Sequence, residues 1–424
     1  MKQVNTMDYT ASPKVKAAFD ATVRHERIKN AHVFLIDDFA FSLQEHKTFI
    51  ACEAPTFHEE ARAALYAEKL REYGLSNVQG DSYGNVYGVW KGGGSGPTLL
   101  VEAHMDTVFP FGSVKTIRDE DEKIHAPGAA DNTRGMTVIL AAIRAMKHAG
   151  IQTKGDVIFC GTSREEGIGS LGGMRDFLAF GPKVDASISL DGGATEGICC
   201  DATGFKTAEV NFYGKGGHAY TAFGTVANPL HAAARAVAKI ADFAVPENPK
   251  TTFCVSNFHA GNDAGIHAIV PRASIKFNIR STDQKTLDNL EQRVFAAVQE
   301  ACDEETARWG KDAITWDTKQ YCDVPAGAQD HHAPLIEAAW LGAQFFTAEE
   351  YLDAVQIRQG GCVNGNMAVK AGIPCITIGA GHTNQRIHST EEYLDYHEGW
   401  RLPQELVTLI CLAAGAEEIT DSIL

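Results

Sequence analysis

The sequence of this 424-residue chain predicts an α/β protein with a mostly parallel central sheet and an inserted α+β domain. Short apolar runs of strand length alternate with patterns of helical period, which is typical of strand–helix–strand units. Each run is continuously apolar, as expected for parallel strands buried on both faces. The runs occupy 98–103 (TLLVEA), 156–162 (DVIFCGT), 185–191 (DASISLD) and 374–380 (PCITIGA).

The other elements are predicted in order along the chain. The pair Ser12-Pro13 before apolar residues at helical spacing predicts a capped amphipathic helix, and residues 1–45 are assigned to an N-terminal helical extension. Further helices are expected over 59–73 and 133–150, with a short strand near 86–90 between them.

The middle of the chain has a different pattern, which indicates an insertion. Its strands alternate between apolar and polar residues, as half-exposed strands do. Strands are expected over 206–218, 270–281 and 313–322, and helices over 226–243 and 283–303. The predicted division is 1–45, a first α/β part at 46–204, the insertion at 205–322 and a second α/β part at 323–424.

Composition excludes several classes of protein. With 54 acidic and 38 basic side chains the formal net charge is −16, and an acidic surface repels nucleic acid. An apolar share of 44% without a Gly-X-Y period excludes disordered and collagen-like chains. No apolar run is long enough to cross a bilayer and the N-terminus lacks an apolar leader, so a cytoplasmic protein without a membrane partner is expected.

The 10 cysteines are scattered without a CxxC pair, which is typical of buried, reduced thiols. Cys199 and Cys200 are adjacent in sequence. We interpret them as two small apolar residues at the end of a strand region and favour this over a redox or metal-binding role. A cysteine hydrolase using Cys362 or Cys199 would be insensitive to chelators and sensitive to thiol alkylation. It is disfavoured because no cysteine has a recognisable catalytic histidine context in sequence.

Residues of the kind that ligate metals follow the predicted buried strands. Open α/β sheets place their sites at the carboxyl ends of strands, and two imidazoles with three carboxylates converging there would form an oxygen-rich site for two metals. Taken singly, a histidine at a strand end more often has a structural role, and two adjacent glutamates more often lie in a solvated turn. Potential metal ligands follow several independent strands, however, and this recurrence favours a metal site. The residues are His104, Asp106, Asp131, Glu165, Glu166, Asp191 and His388.

On these motifs the chain resembles the M20 family of metallopeptidases and amidohydrolases, the group of peptidase T, carboxypeptidase G2 and succinyl-diaminopimelate desuccinylase. The resemblance covers about 50–424 and preserves the order of the motifs. It implies a zinc-exopeptidase-like catalytic domain with helices on both faces of the sheet, and an inserted lid and dimerisation domain. The motifs are HMDTVFP (104–110), GAADNTRG (128–135), TSREEGIGSLGG (162–173), SLDGG (189–193), GKGGHA (214–219), GGCVNGN (360–366), AGIPCITIGAG (371–381) and HSTEE (388–392).

The resemblance also implies the ligands of two divalent ions, zinc in the first place with manganese or cobalt as alternatives. Asp131 would bridge both ions. His104 and Asp191 would complete the site of one ion, and Glu166 with His388 the site of the other.

Further roles are implied for residues that do not bind metal. Glu165 would be the general base. Asp106 would accept the N–H of the His104 ring nitrogen that does not bind metal. His218 would stabilise the oxyanion, commonly from the other subunit of a homodimer that forms through the inserted domain. The implied reaction is hydrolysis of an amide bond by water held between the metals.

Three residues are matched to substrate-contacting positions of the family. His267 lies beside Ala268, which stands where the family usually has Asn. Arg280 matches an arginine often near the substrate carboxylate, although a surface strand-end arginine is an equal alternative. Asn364 stands where many members have Asp.

Several functions remain open at this point. A di- or tripeptidase or exopeptidase is the first hypothesis, and an N-acyl amino acid amidohydrolase is a close alternative in the same class. The small-molecule partner is therefore a peptide or an N-acyl amino acid. A non-catalytic binding protein on the same fold is the remote alternative, which predicts a broken ligand or a missing base, and neither is found.

Overall fold

The computed structural model describes residues 9–192, 194–309, 313–358, 360–379 and 386–424. The ends of two motifs, at Gly193 and at 380–381, lie outside the described residues, as do 1–8 of the predicted N-terminal extension. The chain divides into two compact units, a smaller one of residues 203–327 and a larger one on either side of it in sequence.

The elements of the larger unit come from both flanking parts of the chain. The first part contains α1 (Pro13–Arg24), α2 (Glu26–Asp37), α3 (Phe39–Ala51), α4 (Glu60–Glu72), β1 (Ser76–Gly80), β2 (Val86–Trp90), β3 (Leu99–His104), β4 (Arg118–Glu120), β5 (Lys123–His125), α5 (Thr133–His148), β6 (Val157–Thr162), α6 (Gly172–Phe180), β7 (Ala186–Leu190) and β8 (Gly197–Cys199).

The smaller unit and the second part of the larger unit follow in sequence. The smaller unit contains β9 (Gly204–Tyr213), β10 (Gly217–His218), α7 (Pro229–Ala241), β11 (Thr251–Ala260), β12 (Ala268–Ile269), β13 (Arg272–Ser281), α8 (Gln284–Trp309) and β14 (Thr315–Val324). The remainder of the larger unit contains α9 (Pro334–Phe346), β15 (Gln356–Arg358), α10 (Gly365–Ala371), β16 (Cys375–Ile378), β17 (Tyr393–Asp395) and α11 (Arg401–Ala414).

A mostly parallel sheet is the centre of the larger unit. Its strand order within the described ranges is β1-β2-β6-β3-β7-β16-β8-β15. The inner strands β6, β3, β7 and β16 are mutually parallel and entirely buried. These four strands correspond to the apolar runs of the sequence, because a strand buried on both faces has no solvent-facing positions and is mostly apolar. The prediction of an α/β fold with a mostly parallel central sheet is confirmed.

The N-terminal helices belong to the same hydrophobic core as the sheet. Val15 and Phe19 of α1, Ile28 of α2 and Phe49 of α3 are buried in the cluster that also contains the residues of α5 and α11. The Ser12 side chain accepts the backbone N–H of Val15, as the sequence predicts for a capped helix.

Helix α5 begins against the ends of two strands, and this places the preceding loop beside them. The Asn132 side chain caps the helix by accepting the backbone N–H of Gly135 at 3.2 Å. A Cβ atom at Gly135 would lie 3.0 Å from the carbonyl oxygen of Leu190 and 3.1 Å from Cβ of Ala103. The same Cβ atom would lie closer still to Oδ1 of Asn132, so a side chain at this position would displace the helix cap.

The smaller unit is built on a four-stranded antiparallel sheet of order β11-β13-β9-β14 within the described residues. Its buried face carries alternate residues such as Val210 and Phe277, which form one core with Leu290 of α8. Strand β11 was not predicted from the sequence. This strand lies at the edge of the sheet and exposes or half-exposes all its residues after Thr251, so it has no apolar run.

None of the described helices is both long enough and apolar enough to cross a membrane. Helix α8 has 26 residues but is rich in charge, whereas the apolar helix α11 has 14.

Candidate metal centre

The ends of three parallel strands bring acidic and imidazole side chains to one edge of the sheet. Strand β3 ends at His104, which pairs in register with Thr162 at the end of β6. Glu165 and Glu166 follow β6, and Asp191 follows the end of β7 at Leu190. Because parallel strands end at the same edge, residues distant in sequence meet there.

Asp131 lies at the centre of this cluster. Its Oδ1 is 2.9 Å from Nε2 of His104, and its Oδ2 is 3.1 Å from Nε2 of His388. Glu166 Oε1 is 3.0 Å from the same His388 nitrogen, and Asp191 Oδ1 is 3.9 Å from His104 Nε2. The structure therefore brings together all five side chains predicted as metal ligands.

The donor set fits divalent cations. The nearest donor atoms of His104, Asp131 and Glu166 lie within 4.8 Å of one another, and imidazole nitrogen with carboxylate oxygen is the chemistry that zinc, manganese and cobalt accept. Neighbouring ligand atoms in a tetrahedral zinc site are about 3.3 Å apart, given bonds near 2.0–2.1 Å. The imidazole–carboxylate distances around Asp131 would open only slightly to admit a cation.

The tautomer of His104 suits a ligand. Its Nδ1 is 3.1 Å from the carbonyl oxygen of Asp106 and 3.5 Å from the Asp106 carboxylate. Donation of the Nδ1 proton to this carbonyl would leave the Nε2 lone pair available to a cation bound beside Asp131. The sequence predicted Asp106 as the partner of His104, and the main-chain oxygen is the closer acceptor of the two.

The Asp106 carboxylate has a further role that the sequence did not indicate. It accepts the backbone N–H groups of Glu165 and Glu166, each at 3.0 Å, and the hydroxyl of Thr56 at 2.9 Å. One buried carboxylate thereby fixes the turn that carries both glutamates in relation to His104.

Crowding of negative charge is the main electrostatic property of the cluster. Burial raises the pKa of Asp191 to about 8, with Asp131 adding to the shift, and burial likewise raises the pKa of Glu165 and Glu166. The nearby carboxylates Asp131 and Glu166 raise the pKa of His388 to about 11. Divalent cations would relieve this repulsion, because they favour the ionised carboxylates.

The comparison with known families decides the classification. The sequence pattern of peptidase family M20/M25/M40 matches residues 100–410. The chain belongs to this family. The resemblance predicted from the motifs is confirmed, and the protein is a hydrolase of the peptidase and amidohydrolase class, whose members use divalent metals.

Relatives and solved structures agree with this classification. A succinyl-diaminopimelate desuccinylase from Xanthomonas campestris is 26% identical over 366 residues, which cover 82% of this chain and 92% of the relative. A tripeptidase structure from Staphylococcus aureus has a TM-score of 0.71 at 20% identity and covers 87% of this chain and 96% of that one. An M20 metallo-carboxypeptidase from Sulfolobus solfataricus has a TM-score of 0.68 at 17% identity, with coverage of 87% and 98%. At these identities the structures show the likeness of fold alone.

Glu392 supports the loop that carries Asp131, a role that was not predicted from the sequence. Its buried carboxylate accepts the backbone N–H groups of Gly128 at 3.1 Å, Ala130 at 2.8 Å and Asp131 at 3.0 Å. Burial raises its pKa to about 7, although these hydrogen bonds oppose the shift. Its position in HSTEE, four residues after His388, was the available signal.

His46 supports the same loop from the N-terminal helices. Its Nε2 lies 2.8 Å from the carbonyl oxygen of Ala129 and 3.0 Å from the Thr133 hydroxyl. Burial lowers its pKa to about 3, so the ring is neutral and donates to this carbonyl. No sequence motif marked His46, because helix α3 shows only an ordinary helical pattern.

Asn364 is buried among protein side chains. Its amide nitrogen lies 2.8 Å from Glu102 Oε2 and 2.8 Å from the Thr162 hydroxyl. Glu102 is fully buried on β3, which raises its pKa. The amide of Asn364 thus donates to one oxygen of a buried carboxyl two residues before His104, and contact with substrate stays a prediction.

The remaining predicted residues belong to the smaller unit. His218 and His267 lie on the wall of an open cavity of about 430 Å³ beside the two-stranded ladder of β10 and β12. Both imidazoles are exposed. Arg280 is exposed on β13, where its guanidinium lies over the ring of Phe205 at 4.9 Å and donates to Asn278 at 3.0 Å.

Proposed function

We propose that this M20 enzyme is a dinuclear hydrolase that cleaves an amide or peptide bond in a small substrate, as a di- or tripeptidase or an exopeptidase. The proposal rests on the position of Asp131. Its two oxygens lie 2.9 and 3.1 Å from two different imidazoles, a geometry suited to bridging two cations. Asp191 beside His104 and Glu166 beside His388 supply one further carboxylate to each position. Zinc is the favoured cation, with manganese and cobalt as alternatives.

Glu165 is the residue that we assign as the general base. Divalent cations held by this cluster would supply Lewis acidity, which would let water lose a proton near neutral pH. Glu166 is hydrogen-bonded to His388, whereas in the described part of the chain Glu165 makes no hydrogen bond to either imidazole. Burial raises the pKa of Glu165, so its carboxyl can keep a proton taken from water and pass it to the departing amine.

His218 is assigned to the oxyanion, in trans within a homodimer formed through the inserted domain. Its Nδ1 accepts the backbone N–H groups of Tyr220 at 3.2 Å and Thr221 at 3.4 Å. In the neutral ring the proton therefore lies on Nε2, where it can be donated to a developing negative charge. His267 and Arg280 of the same unit, with Asn364, are the residues that we assign to substrate recognition.

An N-acyl amino acid amidohydrolase is the second candidate. The desuccinylase from Xanthomonas campestris, which covers 82% of this chain, is named for removing an acyl group from an amine. Both candidates require the same attack on an amide carbonyl and differ only in the groups on its two sides. The substrate is accordingly a small peptide or an N-acyl amino acid.

A substrate screen with metal control tests the proposal. Purified protein is assayed against free-amine di- and tripeptides and against N-acyl amino acids, before and after chelation. We expect hydrolysis of one of the two sets, loss of hydrolysis with chelator, and recovery on addition of Zn²⁺, Mn²⁺ or Co²⁺. Activity that survives chelation and disappears on thiol alkylation would contradict the proposal and favour a cysteine hydrolase.

Mixed dimers test the assignment of His218. Glu165→Gln and His218→Ala homodimers should each be nearly inactive, because each lacks one essential group at every site. Co-refolding equal amounts should restore roughly a quarter of wild-type activity, since half the dimers are mixed and one of their two sites is whole. Absence of recovery despite demonstrated subunit exchange would exclude donation in trans.

A further inference from the structure

A second cluster of metal-type donors lies apart from the residues proposed for catalysis. The nearest donor atoms of Cys200, Asp201 and His331 all lie within 4.8 Å of one another. His331 Nε2 is 2.7 Å from Asp201 Oδ2. All three residues belong to the larger unit. Cys200 is buried, while Asp201 and His331 are partly exposed and give a cation access to the donors.

The main chain around these donors is fixed by hydrogen bonds. The backbone N–H of Gln329 donates to Asp201 Oδ1 at 3.0 Å, and its side-chain Nε2 donates to the carbonyl of Cys200 at 2.5 Å. The Tyr9 hydroxyl donates to the carbonyl of His331 at 2.5 Å. The three donors are thus held in place from both sides, as a pre-organised site requires.

We propose that Cys200, Asp201 and His331 bind one thiophilic divalent cation, Zn²⁺ by preference, at a site separate from the Asp131 cluster. A thiolate, an imidazole and a carboxylate are all established zinc ligands, and the sulfur disfavours Mg²⁺ and Ca²⁺. Three protein donors leave a fourth position for water. From the sequence, Cys199 and Cys200 are interpreted as two small apolar residues, because His331 is more than 100 residues away and only the fold brings it near Cys200.

A cation at this site would join two distant stretches of the chain. Cys200 and Asp201 directly precede the stretch 203–327 that forms the smaller unit, and His331 follows soon after it. A cation that binds the folded chain alone stabilises the fold by mass action. Burial raises the pKa of the Cys200 thiol, with the Asp201 charge adding to the effect, so cation binding displaces the thiol proton.

Cobalt substitution distinguishes this site from the catalytic cluster. The donors around Asp131 are oxygen and nitrogen only, so a near-ultraviolet thiolate-to-cobalt charge-transfer band can come only from a cysteine. We expect metal-free, full-length protein titrated with Co²⁺ to develop this band with one cobalt–thiolate bond per chain. Zn²⁺ should displace the cobalt and abolish the band, whereas Mg²⁺ should leave it unchanged. A folded wild-type chain that shows no band at saturating Co²⁺ would overturn the proposal.

Matched variants identify the donors. Cys200→Ser should lose the band, while Cys254→Ser, which changes an exposed cysteine of the smaller unit, should keep it. His331→Asn keeps the thiol and should weaken cobalt binding at least about tenfold. Persistence of the band in Cys200→Ser, or unchanged affinity in a folded His331→Asn chain, would overturn the site. Asp131→Ala should retain the band while it loses the catalytic metal. Absence of the band contradicts the Cys200 site, whereas retention of catalytic metal in Asp131→Ala contradicts the catalytic proposal, so the two failures can be told apart.

Discussion

The Asp131 cluster and the Cys200 cluster both set an imidazole against a carboxylate, but they differ in donors and in origin. The Asp131 cluster uses oxygen and nitrogen atoms from separate segments that meet at the carboxyl ends of parallel strands. The Cys200 cluster adds sulfur and comes from two short stretches held by Gln329. Both donor sets suit Zn²⁺, but only the Cys200 cluster offers a thiolate, which disfavours Mg²⁺ and Ca²⁺. Donor type therefore makes the two sites distinguishable by cation preference and by the cobalt–thiolate band.

Asp131→Ala should have the largest effect and should act on one cluster only. Without the Asp131 carboxylate, no negative charge separates the two proposed cation positions, and two cations would repel each other there. The content of catalytic metal and the turnover should therefore both fall to background. Elemental analysis and the cobalt band measured on the same sample check this. Near-normal turnover with all metal retained would remove Asp131 from the site.

Glu165→Gln should abolish most turnover without loss of metal. A general base contributes about 10²–10⁴ in rate, and the amide cannot accept the proton. The matched control is Glu166→Gln, which should lose metal because Glu166 faces His388. If the two variants behave in the opposite way, the roles of the two glutamates are exchanged.

Glu392→Gln should weaken catalytic metal binding by about 10–100-fold and leave the Cys200 site unchanged. The Glu392 carboxylate accepts three backbone N–H groups of the Asp131 loop. Glutamine has one oxygen and an NH₂ donor in place of two acceptor oxygens, so it cannot accept all three groups. Metal titration of the variant measures the effect. Glu391→Gln, which changes the exposed neighbour that pairs with Arg386, is the control and should bind metal normally.

The smallest effect concerns pH and involves two histidines whose pKa values are shifted in opposite directions, His46 beside the Asp131 loop and His331 within the Cys200 cluster. Burial lowers the pKa of His46 to about 3, whereas the hydrogen bond that His331 donates to the Asp201 carboxylate raises the pKa of His331. A lowered histidine pKa means that stability present above the unfolded value of about 6.5 is lost as pH falls. His46→Gln should therefore reduce the slope of unfolding free energy against pH, between about pH 6 and 4, by up to about 1.4 kcal/mol per pH unit. An unchanged slope in denaturant titrations would show that His46 is not buried neutral.

The sequence was most informative where burial is continuous. The four apolar runs became the parallel strands, and the polar residues at their ends were expected to meet because parallel strands share an edge. Edge strands such as β11 were missed because half-exposed residues carry a weak pattern.

Supporting contacts were also beyond the reach of the sequence. Glu392 is more than 260 residues from the loop that it holds, and His46 is more than 80 from Ala129. Such pairs depend on tertiary geometry, and neither local propensity nor motif spacing reports them. The burial of Asn364 against Glu102 is of the same kind.

The place of β16 in the sheet has a consequence for synthesis of the protein. This strand, Cys375–Ile378, lies between β7 and β8, which end 185 and 176 residues before it begins. Until the ribosome has made it, the apolar strand β7 has an unpaired edge, and neither His388 nor Glu392 exists to complete the Asp131 loop. A nascent chain of this length exposes a template for wrong strand pairing. The chain therefore depends on its last segment both for solubility during folding and for assembly of its reactive centre.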